Sequence, residues 1–381
     1  MKKESLLACD FFSLPHPGIK TLNPYVPGKS IEELTRELGI ENIIKLASNE
    51  NPLGCSPHVR DVLEKLSNTT IATYPSPGIH PLRKELANHL GIEEAMLTLS
   101  NGSDLLFNTV MVAFALHSGK KILTHQHAFI SYQIQAQTLG IPTSICPALN
   151  EWEVNIDGLI ERASINTALI FIANPNNPTG LLLDLKEIER LMASIPSSTI
   201  VVLDEAYYEF AYSARQPGAL QFLNQYPNLI ITRTFSKAYG LAGLRLGYAI
   251  AHPDIIQLLL RVQLPFAVNQ VAMQAGIEAL ADQSFVAETL SVNAQGMEQL
   301  AAGFSDLGLP CLPSACNFLT IDCKQNALPV YQSLLEHGII VRPLVPYALP
   351  NHLRISIGTK EQNARLLATL PTCLSANKET L

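Results

Sequence analysis

Six short apolar runs separated by amphipathic stretches constrain this chain more than any other feature of it. Residues 121–124, 144–146, 169–173, 200–203, 229–232 and 246–251 read as strands; residues 81–90, 104–115, 185–193 and 253–262 read as helices. A strand that is apolar at successive positions has both faces covered, and strands that alternate with helices run mostly parallel. The expected fold class is therefore α/β, a mostly parallel central sheet sandwiched by helices. A long helical stretch over 269–307 then leads into a second pattern. There 318–321, 339–341 and 353–357 read as strands and 328–336 and 360–370 as helices, a smaller α+β C-terminal domain. A chain of 381 residues is long for one core. The expected division is an N-terminal arm over 1–45 with one short helix at 31–38, a large domain over 46–268 and a small domain over 269–381.

Composition narrows the function classes. With 47% hydrophobic and 15% charged residues the chain reads as a globular enzyme. A net charge of −7 argues against a nucleic-acid partner and leaves any anionic substrate to local arginines. Seven scattered cysteines with no Cys-x-x-Cys pair argue against structural zinc, and their odd number fits reduced thiols in the cytoplasm. The Met1-Lys-Lys opening is followed by Glu4 and Asp10, which interrupt a signal-like apolar run, and no stretch is long enough to span a membrane.

Ligands of such a sheet bind at the carboxyl ends of its strands, and three polar segments fall there. The run 169–173 leads into Asn174-Pro-Asn-Asn177-Pro-Thr-Gly180, the run 200–203 into Asp204-Glu-Ala-Tyr207, and the run 229–232 into Ser236-Lys237. A lysine entering an apolar, glycine-lined cleft loses affinity for its proton and becomes an amine able to attack a carbonyl. The hydroxyls and Arg245 beside it suit a phosphate. Amine and phosphate cradle together point to pyridoxal 5'-phosphate carried on Lys237. Asp204 is placed to keep the pyridine nitrogen protonated. Asn177, and Tyr207 one helical turn past the aspartate, can donate to the ring oxygen. Ser100-Asn-Gly102-Ser103-Asp104 opens a helix and offers backbone N–H groups to the phosphate together with Ser236 and Arg245. Phe129 can lie on the ring. Each segment alone also has an ordinary reading: a turn, a helix cap or a core aromatic. Their succession at neighbouring strand ends is what carries weight. His125 and His127 lack a third ligand and read as polar residues rather than as a metal site.

These motifs, with Leu22-Asn-Pro-Tyr25, Leu46-Ala-Ser-Asn-Glu-Asn51-Pro-Leu-Gly54, Tyr74-Pro75 and Leu353-Arg354-Ile-Ser-Ile-Gly-Thr359, resemble the fold-type I pyridoxal-phosphate aminotransferases of the aspartate aminotransferase superfamily. The resemblance runs from about residue 22 to 370 and narrows to the histidinol-phosphate aminotransferases. It implies that Lys237 bonds the cofactor and shuttles the proton. Asp204, Asn177, Tyr207 and Phe129 would hold the ring, and Gly102, Ser103, Asp104, Ser236 and Arg245 the phosphate. It implies a homodimer in which Tyr74 reaches the neighbouring subunit's cofactor and the arm packs on the small domain or the partner. Arg354, Arg342, Tyr25 and Asn51 would meet the substrate, the two arginines and the phenol binding a phosphate ester. The implied reaction exchanges L-histidinol phosphate and 2-oxoglutarate for imidazole acetol phosphate and L-glutamate in histidine biosynthesis. The rivals are an aromatic amino-acid aminotransferase, a threonine-phosphate decarboxylase and a non-catalytic regulator on the same fold. Two departures bear on the substrate pocket: no proline precedes Phe129, and Leu105 follows the Gly-Ser-Asp where relatives often carry an acid.

Overall fold

The computed structural model describes residues 10–23, 28–75, 80–212 and 218–375. Twelve strands are present among them: β1 (Ile44–Lys45), β2 (Leu97–Asn101), β3 (Lys121–His125), β4 (Thr143–Cys146), β5 (Thr167–Ala173), β6 (Ile200–Asp204), β7 (Leu229–Thr234), β8 (Leu246–Ala251), β9 (Phe318–Asp322), β10 (Ile339–Ile340), β11 (Arg342–Pro343) and β12 (His352–Ser356). Seven form one sheet in the order β2-β8-β7-β6-β5-β3-β4, with β8 alone antiparallel to its neighbours.

The apolar runs are explained by two cores, one on each face. Ile170 and Ile172 of β5, Val201 and Leu203 of β6, and Leu229 and Ile231 of β7 enter one cluster. The residues between them, Leu169, Phe171, Val202 and Ile230, enter the other. Side chains alternate between faces along a strand, so two covered faces leave no position for a polar residue until the strand ends. That is where the polar segments lie. Behind them, Glu205 and Arg233 form a buried ion pair (Nη2 to Oε2, 2.7 Å) that joins the ends of β6 and β7.

A three-stranded antiparallel sheet, β11-β12-β9, packs on a third core with Leu300, Phe304, Leu334 and Leu366. Two sequence expectations change here. The stretch 269–307 is two helices, Gln270–Ala281 and Gln283–Asp306, because Asp282 turns the chain and accepts from the Phe285 N–H as the second helix's cap. The run 339–341 is not one strand: β10 pairs in parallel with β1, and the next residue but one begins β11, which pairs with β12. Arg342 is thereby delivered to a different sheet from Ile339. Among the described residues no helix is long and apolar enough to cross a membrane.

Candidate active site

The carboxyl ends of β5, β6 and β7 open into a cleft of about 600 Å³. Lys237 reaches it from the turn after β7. Phe235 and Ala238 are fully buried and anchor that turn. Gly240, at φ +70°, lies so close to the Gly54 carbonyl that a β-carbon has no room. The lysine Nζ donates to the Ser48 carbonyl at 3.3 Å. Burial, and after it the charge of Arg354, bring the amine's pKa from 10.5 to about 8.

Asp204 ends β6 beside Thr232 of β7. It is 5% exposed, and among the described residues it has no ion pair. Its Oδ2 accepts from the Tyr132 hydroxyl at 2.8 Å and its Oδ1 from the Thr232 hydroxyl at 3.3 Å. Burial raises the carboxyl's pKa to about 6, while the two hydroxyls work against that rise. A carboxylate buried among neutral donors is costly unless a cation joins it, and a protonated ring nitrogen is such a cation. Asn177 follows β5, the strand paired with β6. Its Oδ1 accepts from Arg354 Nη1 at 2.5 Å, which leaves its NH₂ as the donor. Tyr207 lies in a turn at the start of the helix Tyr208–Ala211, not one helical turn along a helix from Asp204. Its hydroxyl accepts from Asn49 Nδ2 at 2.7 Å, so its own proton can be donated elsewhere.

The other end of the cleft is shaped for an anion. The helix Ser103–Phe114 starts at Gly102 with no side chain capping it, so its first N–H groups are presented outward. Arg245 Nη1 lies 3.5 Å from Ser236 Oγ. At Gly102, φ +76°, a β-carbon would meet Arg245 Nη2 at 2.5 Å. The Asp104 carboxylate accepts from Ser131 Oγ at 2.5 Å, so only the backbone of Asp104 suits a phosphate. Phe129 lines the wall and meets Tyr132 edge-on, ring centres 5.8 Å apart. Lysine amine, unpaired carboxylate and uncapped helix end together fit the aldehyde, ring nitrogen and phosphate of pyridoxal phosphate.

Arg342 and Arg354 line the cleft from the three-stranded sheet. Asn51 does not line it: its amide donates to the Ala238 carbonyl at 3.0 Å and to Thr289 Oγ1 at 2.9 Å. Asn49 takes that place. It sits in left-handed backbone at φ +56° and is held by Ser356. Tyr25 lies outside the described residues. Tyr74 is 79% exposed and outside the cleft, its ring stacked on Phe266 at 4.5 Å. His125 contacts the Gln126 carbonyl and His127 the Tyr347 carbonyl, each through Nδ1. Tyr132 and Asn49 escaped the sequence reading. Asn49 belongs to a motif already singled out; Tyr132 carried no signal beyond its nearness to Phe129.

The profile of aminotransferase class I and II matches residues 41–370. A protein named histidinol-phosphate aminotransferase 2 from Legionella pneumophila is 55% identical over 96% of this chain and 99% of its own. One of the same name from Pseudomonas fluorescens is 44% identical over the same shares. Among solved structures, histidinol-phosphate aminotransferase from Sinorhizobium meliloti, in complex with pyridoxal-5'-phosphate, superposes with a TM-score of 0.86. It is 29% identical, over 96% of this chain and 99% of that one.

Proposed function

The chain belongs to the class I and II aminotransferases, and on that footing we propose that it is a pyridoxal-phosphate-dependent transaminase of L-histidinol phosphate. The amino group passes to 2-oxoglutarate, giving imidazole acetol phosphate and L-glutamate in histidine biosynthesis. The observation that carries the chemistry is the pairing, in one cleft, of a lysine with a lowered pKa and a buried carboxylate that has no ion pair among the described residues.

Bound there, the cofactor supplies an electron sink that acidifies the substrate's Cα–H. Lys237 would supply the neutral amine for the cofactor's aldehyde and would hold and move the proton taken from the substrate's Cα. Asp204 holds the ring nitrogen in its charged form. Tyr207, with its oxygen already served by Asn49, donates to the ring oxygen, as does the Asn177 amide. Phe129 flanks the ring. Gly102, Ser103, the Asp104 backbone, Ser236 and Arg245 hold the phosphate. Arg342 and Arg354 take the substrate's phosphate ester, a dianion that two guanidinium groups suit better than they suit a carboxylate, and Tyr25 joins them.

The same reading makes the protein a cytoplasmic homodimer, divided at 45/46 and 268/269, with Tyr74 reaching the neighbouring subunit's site. Cys55, Cys146, Cys311, Cys316 and Cys323, none of them in a disulfide among the described residues, and the exposed Tyr74 support it. A substrate panel tests the substrate. Histidinol phosphate should far outrun histidinol and phenylalanine, with ping-pong kinetics toward 2-oxoglutarate. Equal rates with and without the ester phosphate would overturn the assignment, and carbon dioxide release from threonine phosphate would move the protein to the decarboxylases.

A further inference from the structure

The Asp204 carboxylate has a second buried neighbour besides Thr232. Tyr132, fully buried in the first turn of the helix Ser131–Thr138, donates to Asp204 Oδ2 at 2.8 Å, the shorter of the two hydroxyl bonds. Its ring is fixed on three sides. It stacks on Phe171 of β5 at 5.0 Å and 25°, takes Phe107 edge-on at 4.9 Å, and meets Phe129 edge-on at 5.8 Å and 86°. The preceding residue, Ser131, donates to Asp104. One helix turn thus sends a hydroxyl to each end of the cleft.

We propose that Tyr132 is a positioning residue for the reaction: its hydroxyl holds Asp204 ionised and aimed at the ring nitrogen, and its ring sets the tilt of Phe129 on the ring's face. This rests on the transaminase reading given above. A buried phenol is suited to the task. Burial and the adjacent carboxylate raise its pKa, so it stays a protonated donor throughout the range in which Asp204 titrates. An ammonium or guanidinium in its place would neutralise Asp204 and compete with the cofactor for it. A neutral donor supports the charge and leaves the ion pair to be made by the ligand. The other groups whose charge is felt between them and Asp204 are Asp104, Lys237, Tyr207 and Cys316. Among the described residues the side chains that donate to it are Tyr132 and Thr232, beside the Ala206 backbone N–H, so the position of its proton equilibrium responds most directly to these.

Tyr132→Phe removes one oxygen and keeps the ring. In the cofactor-free protein, infrared titration of the carboxyl band, assigned by its loss in Asp204→Asn, should move up by about one to two pH units. Thr232→Val, which loses the longer bond, should move it less. In the loaded enzyme, kcat should fall about tenfold or more with the KM for the amino donor nearly unchanged, and cofactor affinity should fall by a similar factor. A folded Tyr132→Phe protein with an unmoved carboxyl titration would overturn the proposal, as would a larger shift from Thr232→Val. If the phenylalanine variant does not fold, a fluorinated tyrosine at position 132, a stronger donor of nearly the same shape, should move the titration down; an upward or absent shift would again overturn it. The carboxyl titration needs no cofactor. A shifted band in a protein that forms no Lys237 adduct with pyridoxal phosphate would instead sink the transaminase reading and leave the Tyr132–Asp204 coupling standing.

Discussion

Arg342 and Arg354 are direct partners across the antiparallel pair β11–β12, so two guanidinium groups reach the cleft from one register position. They are not equivalent. Arg354 gives Nη1 to Asn177 Oδ1 and Nη2 to the Ala47 carbonyl at 2.7 Å, while its Nε has no hydrogen-bond partner among the described residues and is left for a ligand. Arg342→Ala should weaken the hold on the phosphate ester while leaving Asn177 in place. KM for histidinol phosphate should rise about ten- to a hundredfold, the worth of a charge-assisted hydrogen bond, while phenylalanine turnover stays about constant. Arg342→Lys should recover only part of it, because an ammonium lacks the planar fork. Arg354→Ala should also release Asn177 and lower cofactor affinity. Steady-state kinetics with both donors separate the cases, and equal losses on phosphorylated and unphosphorylated donors would contradict the division.

Asp204 and Lys237 make the cofactor-free cleft costly to fold. For Asp204 the folded pKa of about 6 lies above the unassociated value of 3.8. The folded state thus binds more protons between those values, and stability falls as pH rises through that window. For Lys237 the folded value of about 8 lies below 10.5, so the unfolded state binds more protons between them and stability rises with pH across 8 to 10.5. At pH 7 both charges are present and both are unfavourable. Asp204→Asn should raise the melting temperature of the cofactor-free protein by a few degrees at pH 7, with the gain vanishing below about pH 4, while cofactor affinity collapses. Thermal melts at the two pH values decide it; a lower melting temperature at pH 7 would count against a strained carboxylate.

Lys237→Ala should abolish turnover and leave the circular dichroism spectrum unchanged. Borohydride reduction of the loaded wild-type protein followed by peptide mapping should place the adduct on Lys237. The rate at which cofactor adds to the empty protein should climb with pH, reach half its plateau near pH 8 and level off about one unit above, where the amine is mostly neutral. A reduced adduct on any other lysine would remove the basis of the assignment.

Gly102→Ala tests the anion cradle without touching a charge. The new methyl would fall 2.5 Å from Arg245 Nη2 in backbone at φ +76°, so the guanidinium must leave its place beside Ser236. Cofactor affinity should drop about ten- to a hundredfold through loss of charge-assisted bonds, with the helix Ser103–Phe114 intact. Unchanged affinity would show that the phosphate sits elsewhere.

The sequence disclosed most where burial left no choice. Strands β5, β6 and β7 carry apolar runs on both faces, so the polar segments that close or follow those runs had to mark the strand ends, and Asn177, Asp204 and Lys237 were legible in them. Strand β2, Leu97–Asn101, was not, because Leu-Thr-Leu-Ser-Asn at a sheet edge alternates like a turn-flanking segment. Asn49 and Asn51 stand two apart in one motif. Which faces the cleft depends on the left-handed backbone at Asn49, and composition does not record a dihedral angle. Tyr132 sits among glutamines in a helix of little amphipathic character, and its partner lies 72 residues away. The break at Asp282 did carry a signal, an aspartate ahead of Phe285 as a helix cap, hidden within a run of good helix formers.

Tyr74 offers the sharpest test of assembly. A tyrosine 79% exposed and stacked on a half-exposed Phe266 is an amphipathic surface that a second subunit would cover. If Tyr74 completes the neighbour's site, Tyr74→Ala and Lys237→Ala lie in different halves of the same catalytic unit. Each homodimer should be impaired: the lysine variant dead, the tyrosine variant weakened in cofactor affinity. Dissociated, mixed and reassociated in equal amounts, they form hybrids in which the Tyr74→Ala chain keeps its own Lys237 and receives an intact Tyr74 from its partner. With random pairing about half the dimers are hybrids with one whole site of two, so about a quarter of wild-type activity should return, by the closed twofold symmetry of such a dimer. Activity that stays at the average of the two parents would show that Tyr74 serves its own chain or no site at all.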